Sequence, residues 1–224
     1  MFKKIKNKLN NIESFTKNKY GNFWNEKSGN EQVEWYDKMH NSCVPMHKNF
    51  IDFLNQSSFK TVLEIGCGTG YYPIKLYDLF KEKNYTGLDF SETAITNCKQ
   101  NSKFDFICDD FIKYDFEKSF ELIFSHAVID HVYDIENFIK KIVNLSTKYA
   151  YITSYRGFFP ELKQHKMNWN GSEGSYYNDI SITTVKNQLQ TLGLKDTEFN
   201  LRSIKVDDNG KNDDFQTIIE IIKE

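Results

Sequence analysis

Thr61-Val-Leu-Glu-Ile-Gly-Cys-Gly-Thr-Gly70 is the stretch that decides the fold. Val62, Leu63 and Ile65 make a short apolar run of the kind found in a buried parallel strand. The run ends in Gly66, Gly68 and Gly70, and a helix-like segment opens with Tyr71-Tyr72-Pro73. Glycines at a strand-to-helix turn let the backbone bend tightly and let a ligand approach with no Cβ in the way. By itself G-x-G-x-G is a common pattern, so the decision rests on what surrounds it.

Downstream the chain alternates. Strands are expected at Tyr85–Asp89, Phe104–Cys108, Glu121–Ser125 and Tyr149–Ser154, with helices at about Tyr71–Lys81, Ser91–Gln100 and Ile135–Asn144. Ser91 before Glu92 and Thr93 reads as an N-cap. Strands alternating with helices imply βαβ units and a parallel sheet covered on both faces. Residues 155–178 break the pattern with a long, irregular, aromatic-rich stretch, expected as an ordered insertion because loops of this length are functional or disordered and aromatics argue against disorder. A helix at about Ile180–Leu192 ends at Gly193. Lys195–Val206, the turn Asp207-Asp-Asn-Gly210 and Phe215–Ile222 then read as an antiparallel hairpin.

Upstream, residues 1–57 form a polar, helical segment with Tyr20, Phe23, Trp24, Trp35 and Tyr36, interrupted near Pro45; it either covers a ligand as a lid or packs as a layer on the sheet. Met1–Leu9 is basic but too short in apolar residues for a signal peptide or a membrane-crossing helix, and reads as a solvated terminus or a short surface-touching helix. The whole is expected as one domain, 58–224, behind that N-terminal segment.

Composition narrows the function. With 39% hydrophobic and 27% charged residues the chain is globular, and a net charge of −2 argues for a small molecule rather than nucleic acid as partner. Cys43, Cys67, Cys98 and Cys108 form no metal-ligand spacing, and a reducing, cytoplasmic setting is the simplest reading. No metal site is expected.

Ligands of an open parallel sheet sit beyond the carboxyl ends of its strands. Asp89 closes the second strand about 20 residues after the glycines, where a carboxylate can accept both ribose hydroxyls. Asp109 and Asp110 close the third, where one can accept from an exocyclic amine. A dinucleotide site would more typically show G-x-G-x-x-G.

Taken jointly these residues resemble the class I S-adenosylmethionine-dependent methyltransferases, from Thr61 to the final hairpin. Gly87-Leu-Asp-Phe-Ser91, Phe106-Ile-Cys-Asp-Asp-Phe111 and Phe124-Ser-His-Ala-Val-Ile-Asp-His-Val132 are similar to that family's later motifs. The resemblance implies a Rossmann-like α/β fold with a mostly parallel seven-stranded sheet and a C-terminal antiparallel hairpin. It implies S-adenosylmethionine, with S-adenosylhomocysteine as product, held by Glu64, Gly66, Cys67, Gly68, Gly70, Asp89, Phe90, Asp109, Asp110, Ser125 and His126. His131 is the candidate general base, because imidazole titrates near neutral pH; Asp130 would orient it or bind the acceptor.

Tyr36 and the insertion residues Arg156, His165, Trp169, Tyr176, Tyr177 and Asn178 are the candidate acceptor site. Aromatic faces with interspersed hydrogen-bonding groups suit a sugar ring, and Arg156 a carboxylate or phosphate. This segment resembles methyltransferases of bacterial surface polysaccharides, implying a sugar or nucleotide-sugar methylated on a hydroxyl or a uronate carboxylate. The alternatives are another small molecule such as a quinone or lipid precursor, or a non-catalytic cofactor-binding protein. The place of the N/D/S-P-P-Y/F/W motif of amino-methylating DNA enzymes holds His-Ala-Val-Ile-Asp-His, and no Pro-Cys marks a cytosine C5 enzyme.

Overall fold

β1 (Thr61–Ile65) lies near the middle of the main sheet, paired in parallel with β2 (Asn84–Asp89) on one side and β4 (Phe120–His126) on the other. β3 (Asp105–Cys108) extends the first side and β5 (Ser146–Ser154) the second, both in parallel. β9 (Phe215–Ile222) then pairs antiparallel with both β5 and β8 (Phe199–Lys205). The order is β3-β2-β1-β4-β5-β9-β8, the mostly parallel seven-stranded α/β sheet with a C-terminal antiparallel hairpin that the resemblance implies. This computed structural model describes residues 20–27, 29–42, 44–205 and 215–223. The basic stretch 1–9, Cys43 and the turn expected at 207–210 lie outside the described residues.

Strand alternation divides the core into two layers, because successive side chains face opposite sides of a sheet. Leu63 and Ile65, Ala150 and Ile152, and Ile219 and Ile221 share one layer with the helices α7 (Ile135–Leu145) and α8 (Ile182–Thr191). Val62, Leu122, Phe124, Tyr151 and Ile218 form the other, against α3 (Val44–Gln56) and α6 (Glu92–Asn101). Pro45 sits in the first turn of α3, where its missing N–H costs nothing, and α2 (Gly29–Ser42) precedes it. The short α1 (Asn22–Asn25) precedes them.

α3 is bound to the sheet through Phe50, which is fully buried with ring centroids 4.6 Å from Phe124, 5.0 Å from Tyr151 and 5.2 Å from Tyr72. Phe50→Ala is therefore expected to destabilise the protein by about 3–5 kcal/mol in urea unfolding. A loss under about 1 kcal/mol, the level of an exposed site, would detach α3 from the core.

Two expectations change. The helix expected over 71–81 is two pieces, α4 (Tyr71–Lys75) and α5 (Tyr77–Phe80), because Leu76 leaves helical backbone at φ −107°, ψ 37°. The insertion is not irregular: β6 (Lys166–Asn170) and β7 (Ser175–Asp179) form an antiparallel hairpin. Its alternation is hidden in sequence because the apolar members point outward. Met167 and Trp169 are exposed, while Asn168 donates to Tyr177 O and to Asp179.

Candidate active site

Strands β2 and β3 lie to one side of β1 and β4 and β5 to the other, so a crevice opens at the carboxyl ends of β1 and β4. There a cavity of about 440 Å3 reaches from the glycine turn to the insertion hairpin. Its volume is in the usual range for a small-ligand site.

The glycine turn is held by geometry that other residues would strain. Gly66 has φ +69°, and a Cβ there would lie 2.2 Å from Val128 Cγ2. Gly68 has φ +51° and lies under the Tyr36 ring, 2.8 Å from where its Cβ would be. Asp89, at the end of β2, accepts from Gly68 N at 2.9 Å and Ser91 N at 2.8 Å. Burial raises its pKa, and the backbone N–H bonds oppose that rise. Beside it, buried Glu64 accepts from the Tyr85 hydroxyl, and burial pushes its carboxyl well up.

Cys67, Phe90, Asp109, Asp110 and His126 also line the cavity. Asp110 accepts from Ile112 N at 2.9 Å and from the Tyr133 hydroxyl at 2.8 Å. Gly68, Gly70 and Ser125 do not line it: Gly68 is covered by Tyr36, Gly70 N-caps α4 with φ +81°, and Ser125 is buried inside β4. After β4 the chain turns through Ala127, a non-glycine residue at φ +55° that faces the cavity; such strain persists only where its surroundings impose it.

His131 lines the far wall. Its Nδ1 lies 2.8 Å from the Tyr176 carbonyl, which can only accept, so Nδ1 carries the hydrogen and Nε2 keeps a lone pair. Burial lowers its pKa, opposed by that bond and by Glu173. Asp130 is placed elsewhere: fully buried, it accepts from the Ser154 hydroxyl and from Tyr155 N at 3.3 Å, and burial raises it to about 7. It therefore braces β5 against the turn after β4 and does not orient His131, whose Nδ1 is held by the backbone.

Of the candidate acceptor residues, Tyr36 and Tyr177 line the cavity. The others are drawn off by packing. Arg156 is paired with Asp179 and lies 4.7 Å over Phe159; His165 Nδ1 accepts from Ser181 N at 3.1 Å; Trp169 is on the exposed face of β6. Asn178 is fully buried and donates to Ile129 O and Val132 O, tying β7 to the loop that carries His131. Tyr176 contributes its carbonyl to His131, and its ring lies 6.3 Å from Tyr20.

Lining residues that the sequence reading did not assign to the site include the pair His40 and His47 with Tyr72, and Glu173; Tyr20, named there in the N-terminal segment, lines it too. His40 Nδ1 lies 3.1 Å from His47 Nε2, and His47 Nδ1 is bonded to the Tyr72 hydroxyl. The seven-residue spacing of these histidines was visible, but the helix break between them hid that they meet. The two covering segments also join each other. Gly21 N donates to Gly174 O at 2.8 Å and Phe23 N to Glu173 O at 3.1 Å, so the N-terminal helices and the insertion hairpin close one roof.

Burial lowers the pKa of His40 to about 3 and of His47 to about 4, from an ordinary 6.5. In the unfolded chain both take up protons as pH falls through 6.5, while in the folded state His47 resists until about 4 and His40 until about 3. Their contribution to stability is thus full above 6.5 and lost progressively down to about 4 for His47 and about 3 for His40. Thermal unfolding across that window should show a Tm that falls with acidification, and a His40→Gln/His47→Gln variant should show a flatter profile. Equal slopes in both proteins would contradict the buried pair.

A family profile described as "Methyltransferase domain" matches residues 56–192, well over half the chain. A second, described as "Protein-L-isoaspartate(D-aspartate) O-methyltransferase (PCMT)", matches residues 3–107. The chain is 29% identical over 124 residues to malonyl-[acyl-carrier protein] O-methyltransferase of Bacillus anthracis, a match spanning 52% of this chain and 46% of that protein. The chain thus spans about half the length of the curated relatives it matches. Among solved structures it is similar to the plantazolicin methyltransferase BpumL in complex with S-adenosylhomocysteine (TM-score 0.60, 14% identity, 87% of this chain and 90% of that one). It is also similar to the DhpI-SAM-HEP complex (TM-score 0.59, 15% identity, 93% and 96%). These likenesses carry the fold, the Rossmann-like α/β arrangement with its mostly parallel seven-stranded sheet. On the profile match, the chain belongs to the methyltransferase domain family.

Proposed function

We propose that the chain binds S-adenosylmethionine and transfers its methyl group to a small acceptor that loses a proton to His131. The observation that carries this reading is that Gly66 and Cys67 of the glycine turn, Asp89 and His131 all open onto one cavity. The residues fit the cofactor: a glycine turn with no Cβ, buried acidic side chains at Glu64 and Asp89, and a buried His126 Nε2 that has no partner among the described residues. Asp89 would take the ribose, Phe90 with Asp109 or Asp110 the adenine, and Glu64, Gly66, Cys67 and His126 the methionine end. Bound there, S-adenosylmethionine supplies an electrophilic methyl on a sulfonium.

His131 Nε2 accepts the acceptor's proton; Tyr176 O holds the ring in the required tautomer. The roof made by residues 20–56 and the insertion acts as the lid, excluding water. A nucleic-acid partner is disfavoured by the acidic lining. Among the described residues no helix is long and apolar enough to cross a membrane. The cytoplasmic setting continues to rest on cysteine usage.

Support for a sugar acceptor is reduced to Tyr36 and Tyr177, since Arg156, His165, Trp169 and Asn178 are engaged elsewhere. The relatives include both O- and N-methyltransferases, and their matches cover about half of this chain or less. Titration calorimetry with S-adenosylhomocysteine tests the cofactor reading. One-to-one binding is expected, and the absence of binding would overturn it.

A further inference from the structure

The wall around His131 is a box of rings. Trp24, Tyr177 and Tyr155 lie with centroids 5.0, 5.5 and 5.6 Å from the imidazole. Glu173 faces the same space, its carboxylate accepting from the Tyr177 hydroxyl at 2.5 Å. The Tyr155 hydroxyl is buried there without a partner among the described residues. Among the described residues the lining carries the acidic side chains of Glu64, Asp89, Asp109, Asp110 and Glu173, and neither Lys nor Arg. Arg156, which would have met an acidic acceptor, is spent on Asp179.

Aromatic faces attract cations through the ring quadrupole, and more strongly in a desolvated site. An anion brought against this wall would lose its hydration and meet like charge. Resting on the methyl-transfer reading above, we infer that the acceptor is a cationic amine on a flat apolar body, its ammonium held by Glu173 and the faces of Trp24, Tyr155 and Tyr177.

The proton chemistry agrees with this class. Proton transfer from an ammonium to neutral His131 moves a positive charge without creating one, whereas deprotonating a neutral hydroxyl would create an ion pair in a low-dielectric cavity. The proton goes from nitrogen to Nε2 and on to solvent. The freed lone pair forms the new carbon–nitrogen bond as the carbon–sulfur bond breaks, with that bond's electron pair leaving on sulfur. Glu173, which favours the charged imidazole, stabilises the intermediate state of the base.

Calorimetry on protein saturated with S-adenosylhomocysteine tests the class with three ligands sharing one ring: tyramine, 4-hydroxyphenylethanol and 4-hydroxyphenylacetate. Tyramine is expected to bind at least about tenfold more tightly than the acid, with the alcohol between them. Glu173→Gln should remove most of tyramine's advantage over the alcohol, and Glu173→Asp should restore part of it, with S-adenosylhomocysteine affinity measured alongside in each variant. Preference for the acid, equal binding, no binding of any of the three, or an advantage unchanged in Glu173→Gln would overturn the inference. Failure of S-adenosylhomocysteine itself to bind would instead remove the methyl-transfer reading beneath it.

Discussion

His131→Asn is expected to lower turnover by a factor on the order of 10² or more while S-adenosylhomocysteine binds as before. The asparagine amide can still donate to the Tyr176 carbonyl, which His131 Nδ1 meets at 2.8 Å, so the loop keeps its anchor. What disappears is the Nε2 lone pair. Wild-type activity requires neutral His131, and burial lowers its pKa, so the acid limb of the kcat profile should lie below the ordinary 6.5 and vanish in His131→Asn. Asp130→Asn separates this from a carboxylate base. Burial raises Asp130 to about 7, but its carboxylate is bonded to Ser154 Oγ and Tyr155 N and does not line the cavity, so its replacement should change stability and leave the limb in place. A limb that moves with Asp130, or turnover unchanged in His131→Asn, would remove His131 from the chemistry.

Asp89→Asn should weaken S-adenosylhomocysteine binding by about 10- to 100-fold, the loss expected for hydrogen bonds to a charged group. The carboxylate accepts Gly68 N and Ser91 N at once, and an amide of the same size must turn its NH2 toward one of them. The glycine turn then loses its fixed position over β2, and the ribose loses its acceptor. A loss under about threefold would mean that Asp89 organises the turn and does not touch the cofactor.

The cofactor half of the site was legible because its signals are local. A strand end, a glycine turn and a carboxylate closing the next strand are each set by a few adjacent residues, and the parallel sheet brings them together. Glu64, Gly66 and Asp89 were therefore expected together, and they line one cavity. The acceptor half depends on side-chain direction across elements far apart in sequence. Arg156 looked like an anion receptor until Asp179, across the insertion hairpin, claimed it. Trp169 looked like a sugar platform, but hairpin alternation turns it to solvent. Glu173 gave no signal because its value comes from the backbone bridge that joins the hairpin turn to Gly21 and Phe23. His40, His47 and Tyr72 meet only after α2 and α3 fold back over α4.

Tyr36 covers Gly68, and Gln32 donates to Trp24 O and Ser91 Oγ, so α2 is tied down over the glycine turn.

The most direct measurement is a crystal structure of the protein with S-adenosylhomocysteine. The account predicts the ribose hydroxyls on Asp89, the adenine beside Phe90, and the sulfur facing the wall of His131, Tyr155 and Glu173. A nucleoside bound away from Asp89, or a sulfur directed away from His131, would contradict it.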